Sequence, residues 1–164
     1  MKKFFLTSFF AVLFLPNLKA QEIAEHALGL RFGGNNGLGA EVSYQNALGG
    51  NNRLEADLGW RGDNHVTAVK LTGIYQWVWN LDQGLNWYAG AGGGLGTASY
   101  DTRYGNPKYR DGNQFLIFVA GDIGLEYNFD FPLLISLDFR PEVGSSDYID
   151  GLDFDIALSL RYQF

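Results

Sequence analysis

Cysteine is absent from the 164 residues. Its absence excludes a disulfide staple, a thiolate metal site and a lipid anchor at a cysteine. Basic residues are outnumbered, with 12 Lys and Arg against 18 Asp and Glu and a formal net charge of −6. That balance argues against nucleic-acid binding, which needs basic patches. No apolar run is long enough for a spanning helix. The longest, Phe4–Leu15, is about a dozen residues, against the roughly 20 that a bilayer demands. Proline is scarce at 4, whereas glycine is abundant at 22 and aromatic residues make up 16%. Few prolines and many glycines and aromatics suit tilted strands joined by tight turns.

The short apolar run has its own meaning. Lys2 and Lys3 precede it, and Pro16 and a polar segment ending in Ala20 follow it. This is the pattern of a secretory signal peptide, residues 1–20, cleaved after Ala20. The remaining 21–164 form one domain. Loss of Lys2, Lys3 and Lys19 moves the net charge from −6 to about −9.

The last eleven residues alternate strictly. Phe154, Ile156, Leu158, Leu160, Tyr162 and Phe164 are large and apolar, with Asp155, Ala157, Ser159, Arg161 and Gln163 between them. A strand sends successive side chains to opposite faces, so one face suits lipid and the other a polar interior. The same alternation predicts eight strands, at about 26–33, 38–45, 53–61, 65–79, 85–99, 115–128, 133–140 and 154–164. The fold class expected is all-β, an eight-stranded antiparallel up-and-down transmembrane barrel with both termini periplasmic. Gly, Asn and Asp mark three short turns at 46–52, 80–84 and 128–132. The opposite loops fall at 34–37, 62–64, 100–114 and 141–151, of which the last two are long. Outward aromatics then sort by height. Tyr44, Tyr75, Trp77, Trp79, Trp87, Tyr127, Tyr162 and Phe164 fall at the turn end, and Phe32, Trp60, Phe115, Phe139 and Phe154 at the loop end. Two such girdles are what two membrane interfaces require.

The inward positions are charged with nearly balanced signs: Arg31, Arg53, Arg61, Lys70, Arg140 and Arg161 against Glu41, Glu55, Asp57, Asp122, Glu126, Asp138 and Asp155. An eight-stranded barrel is just wide enough to be filled by side chains. Charges enclosed there must pair, because an unpaired buried charge is very costly. A closed network of salt bridges is expected, with Gly90, Gly92 and Gly94 making room for long neighbours such as Arg and Phe118. An ion path or proton relay is the functional alternative.

Catalytic chemistry finds little support. A lipid-facing Ser–His pair with a carboxylate near the outer rim would mark a lipid A deacylase. Beyond the leader the only histidines are His26, at the turn end, and His65, at the loop rim near Thr67; Ser145 and Ser146 lie in the last loop. No catalytic residue and no cofactor is assigned. The glycine run 90–96 lacks the Gly-Lys-Ser/Thr ending of a phosphate loop. Asp147, Asp150, Asp153 and Asp155 are an acidic cluster whose spacing is not that of an EF-hand, and no metal site is assigned. The third loop mixes Tyr100, Tyr104 and Tyr109 with Arg103, Lys108 and Arg110. Tyrosine and arginine are favoured at recognition surfaces, so this loop is the candidate recognition site. Binding of the lipopolysaccharide leaflet, or simple solvation, would suit the same residues.

The ending Leu158–Leu160–Tyr162–Phe164, the alternating strands, the short turns and the leader together resemble the small outer-membrane β-barrels of Gram-negative bacteria, of the OmpX and OmpA transmembrane type. The resemblance implies an integral outer-membrane location, contact with outer-membrane lipid and lipopolysaccharide, and recognition of the terminal strand by the barrel assembly machinery. It leads to a non-enzymatic barrel with a structural or interaction role. Such a barrel would be an accessory subunit of a larger outer-membrane complex, or a surface-recognition protein using loops three and four. A narrow pore for ions or small solutes is the alternative, and a lipid A-modifying enzyme a second.

Overall fold

The computed structural model describes residues 23–33, 39–62, 66–100, 112–145 and 150–164. Eight strands are present: β1 His26–Gly33, β2 Gly39–Gly49, β3 Asn52–Gly62, β4 Val66–Asp82, β5 Leu85–Tyr100, β6 Gly112–Asn128, β7 Leu133–Ser145 and β8 Asp150–Gln163. Each pairs antiparallel with its chain neighbours, and β8 pairs back onto β1, so the sheet closes into a barrel. Closure leaves no unpaired sheet edge, which a hydrocarbon environment demands.

The stagger follows from the register. From Arg161 the inward row runs through Gly29, Ser43, Asp57, Thr72, Gly94, Phe118 and Gly144, and returns to β8 at Gly151. One circuit therefore shifts the chain by ten residues (161 − 151). With a rise of ~3.3 Å and a strand spacing of ~4.8 Å, that stagger tilts the strands by about 40°.

Glycine makes the tightest turns possible. Gly49, Gly50 and Gly84 have φ of 96°, 59° and 76°, a region that side chains with a Cβ disfavour. The turn between β2 and β3 is thereby reduced to Gly50 and Asn51, and that between β4 and β5 to Gln83 and Gly84. Both are shorter than the alternation suggested, because the strands run on into them.

The loop end differs more. The expected loop at 141–151 is mostly strand, since β7 continues to Ser145 and β8 begins at Asp150. Pro141 was the misleading signal, because proline ends most strands. Here its ring lies outward against Gly121, whose missing Cβ gives it space. Proline has no amide hydrogen to donate, and the β6–β7 ladder is interrupted between Ala120–Glu142 and Ile123–Phe139. Consequently Phe139 and Phe154, stacked at 5.5 Å, lie well inside their strands rather than at the tips. Likewise β5 reaches Tyr100 and β6 starts at Gly112, which shortens the expected third loop to 101–111.

Outward side chains are apolar around the ring, with Leu30, Leu58, Leu71, Leu95, Ile117, Leu125, Leu137 and Leu158 all exposed. At the turn end Trp79 stacks on Trp87 at 4.4 Å and Tyr75 meets Trp77 edge-on at 5.1 Å. Inward, one small apolar cluster of Ile74, Leu116, Phe118 and Ala120 packs between β4 and β6. Val78, Leu134 and three alanines are buried singly, and most of the other enclosed side chains are polar.

Candidate functional site

The lumen is the most elaborated part of the molecule. Because side chains alternate along each strand, every second residue of β1, β3, β7 and β8 points inward, and there the sequence places its guanidinium groups. Arg31, Arg53, Arg140 and Arg161 are all buried. Each is held by at least one carboxylate of a strand that is not its neighbour in the sheet, besides partners on adjacent strands.

Two clusters result. Nearer the loop end, Arg31 donates from Nη1 to Glu41 at 2.8 Å and to Asp155 at 2.6 Å, and its Nε and Nη2 both bind Asp138. Lys70 joins this cluster through Glu142 at 2.9 Å and Glu41 at 3.7 Å, with its ammonium 5.3 Å from the Phe118 ring centre. In the middle, Arg140 donates to Asp57 and to Glu55, each at 2.8 Å, while Asp122 stands 3.8 Å from its Nε. Arg161 donates to the second Glu55 oxygen at 3.0 Å and to the hydroxyls of Ser43 and Ser136. Arg53 pairs with Glu126 at 2.6 Å, donates to Gln76 at 2.6 Å and lies over the Tyr88 ring.

Neutral side chains complete the shell. Gln45 and Gln76 both donate to Glu55, at 2.6 Å and 3.3 Å, and Gln76 also donates to Asp122 at 2.6 Å. Glu55 therefore accepts from two arginines and two glutamines. Such satisfaction makes a buried carboxylate tolerable, and removal of one partner leaves the rest exposed to the full desolvation cost.

Of the thirteen charged residues expected inside, eleven are buried, and Lys70 is half-buried near the mouth. The side chain of Arg61 lies outside the described residues. Glu142 was not among the expected set, because Pro141 seemed to end the strand; the parity Ser136, Asp138, Arg140, Glu142 carries it inside. Its inclusion adds one carboxylate to the expected set. Among the described side chains the lumen holds eight carboxylates and five cations. The inward polar residues Ser43, Gln45, Thr72, Gln76, Asn86 and Tyr88 were also missed, and the same parity would have found them.

The inward glycines serve particular neighbours. Gly94 accommodates the Phe118 ring, Gly90 the side chains of Ile74 and Gln76, and Gly124 the ring and hydroxyl of Tyr88. Phe118 is thus the long neighbour expected there, and no arginine is among these neighbours.

The other candidate residues are dispersed. Leu158, Leu160, Tyr162 and Phe164 face outward on β8 and are exposed. Phe164 exchanges backbone hydrogen bonds with His26, at 2.9 and 3.1 Å. The His26 ring lies against Tyr44 and Phe164, and its Nδ1 is 2.9 Å from the Tyr44 hydroxyl and 3.0 Å from Asn46 Nδ2. That places His26 in a structural seam. In the recognition loop, Arg103, Tyr104, Lys108, Tyr109 and Arg110 lie outside the described residues, as do His65, Ser146 and Asp147. For Tyr100, Thr67, Ser145 and Asp150 only the backbone is described. Asp155 of the acidic cluster is inside the barrel on Arg31, and among the described residues no group of three or more His, Asp or Glu is placed to hold a metal.

No protein-family model matches this chain, and no curated protein matches it by sequence. Solved structures do. The N-terminal β-barrel domain of Pseudomonas aeruginosa OprF superimposes with a TM-score of 0.67 at 15% identity, over 85% of this chain and 96% of that one. Neisserial surface protein A gives 0.61 at 12% identity, over 85% and 94%. The attachment invasion locus protein Ail of Yersinia pestis gives 0.55 at 15% identity, over 85% and 96%. The likeness spans nearly all of each neighbour and matches the closed ring of eight strands found here. The chain therefore has the fold of the small eight-stranded outer-membrane β-barrels.

Proposed function

We propose that this protein is an integral barrel of a Gram-negative outer membrane with a non-enzymatic structural or interaction role. It acts as an accessory subunit of an outer-membrane complex, or as a surface-recognition protein through its third and fourth loops. The observation that carries this reading is the filled lumen. Arg140 reaches across it to Glu55, and Arg31 gathers Glu41, Asp138 and Asp155 above that brace. A barrel plugged in this way has its chemistry committed to holding itself shut, and its free surfaces are the lipid-facing belt and the loops. The outward apolar belt with tryptophans at both ends supports membrane insertion. In this reading residues 1–20 are the cleaved leader, both termini are periplasmic, and the Leu158–Phe164 strand is read by the assembly machinery.

The third loop offers two tyrosines and three cations for a partner, with Tyr100 at the end of β5 beside it. One structural neighbour, Ail, has been solved with the heparin analogue sucrose octasulfate. That makes a polysulfated glycan a reasonable probe for Arg103, Lys108 and Arg110 here.

The test is extraction from the native outer membrane in mild detergent, with a tag in the turn at Gly50–Asn51 and mass spectrometry of what co-purifies. A stoichiometric partner, or retention on heparin, should be lost when Arg103, Tyr104, Tyr109 and Arg110 are changed to Ala while the barrel stays folded. Partner recovery and heparin retention that are both untouched by the change would reject recognition through this loop.

A further inference from the structure

By formal charge the central cluster is not neutral. Four carboxylates (Glu55, Asp57, Asp122 and Glu126) meet three guanidinium groups (Arg53, Arg140 and Arg161), which leaves one negative charge over (4 − 3). Over the two clusters the surplus among the described side chains is three (8 − 5). A negative charge enclosed by a lipid-bound wall needs a compensating positive one.

The place for it is marked by oxygens with no protein partner. Asp57 and Thr72 stand directly opposite each other on β3 and β4, and both are at most 1% exposed. Asp57 Oδ2 accepts from Arg140, but Oδ1 has no donor, and the Thr72 hydroxyl has no partner either. Directly opposed residues hold their Cβ atoms about 5 Å apart, so both oxygens reach one point between them. The Tyr88 hydroxyl, enclosed and without a hydrogen bond, adds oxygen to the same middle level, as does Asp122 Oδ1, which lies 3.8 Å from Arg140 Nε. Next in the row is Gly94, which adds no side chain. Oxygen donors suit hard cations. Among the described residues no three acidic or histidine side chains converge as a divalent ion would require, and a surplus of one charge is balanced by a monovalent ion.

We propose that the lumen holds a resident small monovalent cation, sodium or potassium, bound between the carboxylate of Asp57 and the hydroxyl of Thr72. Such a site is independent of what the outer loops bind. It makes the ion part of the folded structure, so a barrel stripped of it is less stable.

The experiment refolds the whole barrel in micelles with tetramethylammonium as the only cation. Sodium or potassium is then titrated in at constant ionic strength and pH, and unfolding by urea is followed. A ligand bound only by the folded state shifts the unfolding equilibrium about tenfold for each tenfold rise in its concentration above its Kd. That dependence is expected with sodium or potassium, and it should vanish in Thr72→Val and in Asp57→Asn. Thr72→Val keeps every charge and nearly the volume, so it carries the test if Asp57→Asn fails to fold. Should neither fold, broadening of the sodium-23 resonance by the unaltered barrel, reversed by potassium, decides. Equal stability in tetramethylammonium and sodium, an undiminished sodium effect in Thr72→Val, or absence of that broadening would overturn the site. So would full replacement of sodium by mild acidification, which would show that protons carry the compensating charge.

Discussion

Arg140 donates from Nη2 to Glu55 Oε1 at 2.8 Å, although the two residues stand on β7 and β3, opposite walls of the ring. This is a brace across the full diameter of the barrel. It also brings Asp57 and Asp122 around one guanidinium, so three strands, β3, β6 and β7, depend on a single side chain.

Replacement of Arg140 by Ala should therefore be among the most damaging single changes. Removal of one member of a buried ion pair costs about 3–5 kcal/mol, since the partner stays enclosed without compensation. Urea unfolding of the refolded barrel in vesicles should show a loss of that size. A midpoint within error of the unaltered protein would mean the brace carries no stability.

The plugged lumen predicts electrical silence. In planar bilayers the unaltered barrel should give no steady unitary current at any voltage. The double change Arg140→Ala and Arg161→Ala, which clears both arginines from Glu55, should open a measurable one. A steady conductance from the unaltered barrel would overturn closure and favour the pore.

Membrane placement can be read from tryptophan. Trp60 faces outward towards the loop end, and Trp77 and Trp79 face outward near the turns, all exposed. Variants that keep only Trp60 or only Trp77 should both be quenched more by lipids brominated near the headgroup than by lipids brominated at the chain ends. Quenching strongest from the chain ends would place these side chains at mid-membrane and contradict the two girdles.

Phe164 closes the ring by its backbone pair with His26 and its outward ring. Phe164→Ala should cut the fraction of heat-modifiable, folded barrel recovered from cells severalfold, with a much smaller effect on the stability of what does fold. Equal recovery would show that the terminal aromatic is not read during assembly.

Much of this was legible from alternation alone. The first strand, His26–Gly33, and the inward parity of Arg31, Arg53, Glu55, Asp57, Arg140 and Arg161 follow from a period of two, which leaves each residue one of two faces. What alternation does not contain is the stagger. The pairing of Arg140 with Glu55 depends on a shift of ten residues around the ring, which hydrogen bonding between distant strands sets. Pro141 misled for a local reason: proline ends strands unless its neighbour is small, and only the register shows that the neighbour is Gly121. Glu142 was missed for the same reason. The loop at 100–114 carried the only recognition signal, which was one of composition.

The cross-lumen pairing also constrains the order in which the barrel can form. Arg31 of β1 takes Asp138 and Asp155 from β7 and β8, and Glu55 of β3 takes Arg140 and Arg161 from the same two strands. An N-terminal half entering lipid by itself would offer Arg31 only Glu41, and Glu55 only the amides of Gln45 and Gln76, so Glu55 would stay without a counter-charge at a cost of several kcal/mol. The remaining contacts of Arg31 lie more than a hundred residues away, and such distant closures are slow. Stepwise insertion of hairpins from the N-terminus is therefore an uphill route. The chain is built to cross the bilayer late, with its last two strands already in place, and an assembly factor that holds β8 until β1 arrives would supply the wait that these arginines require.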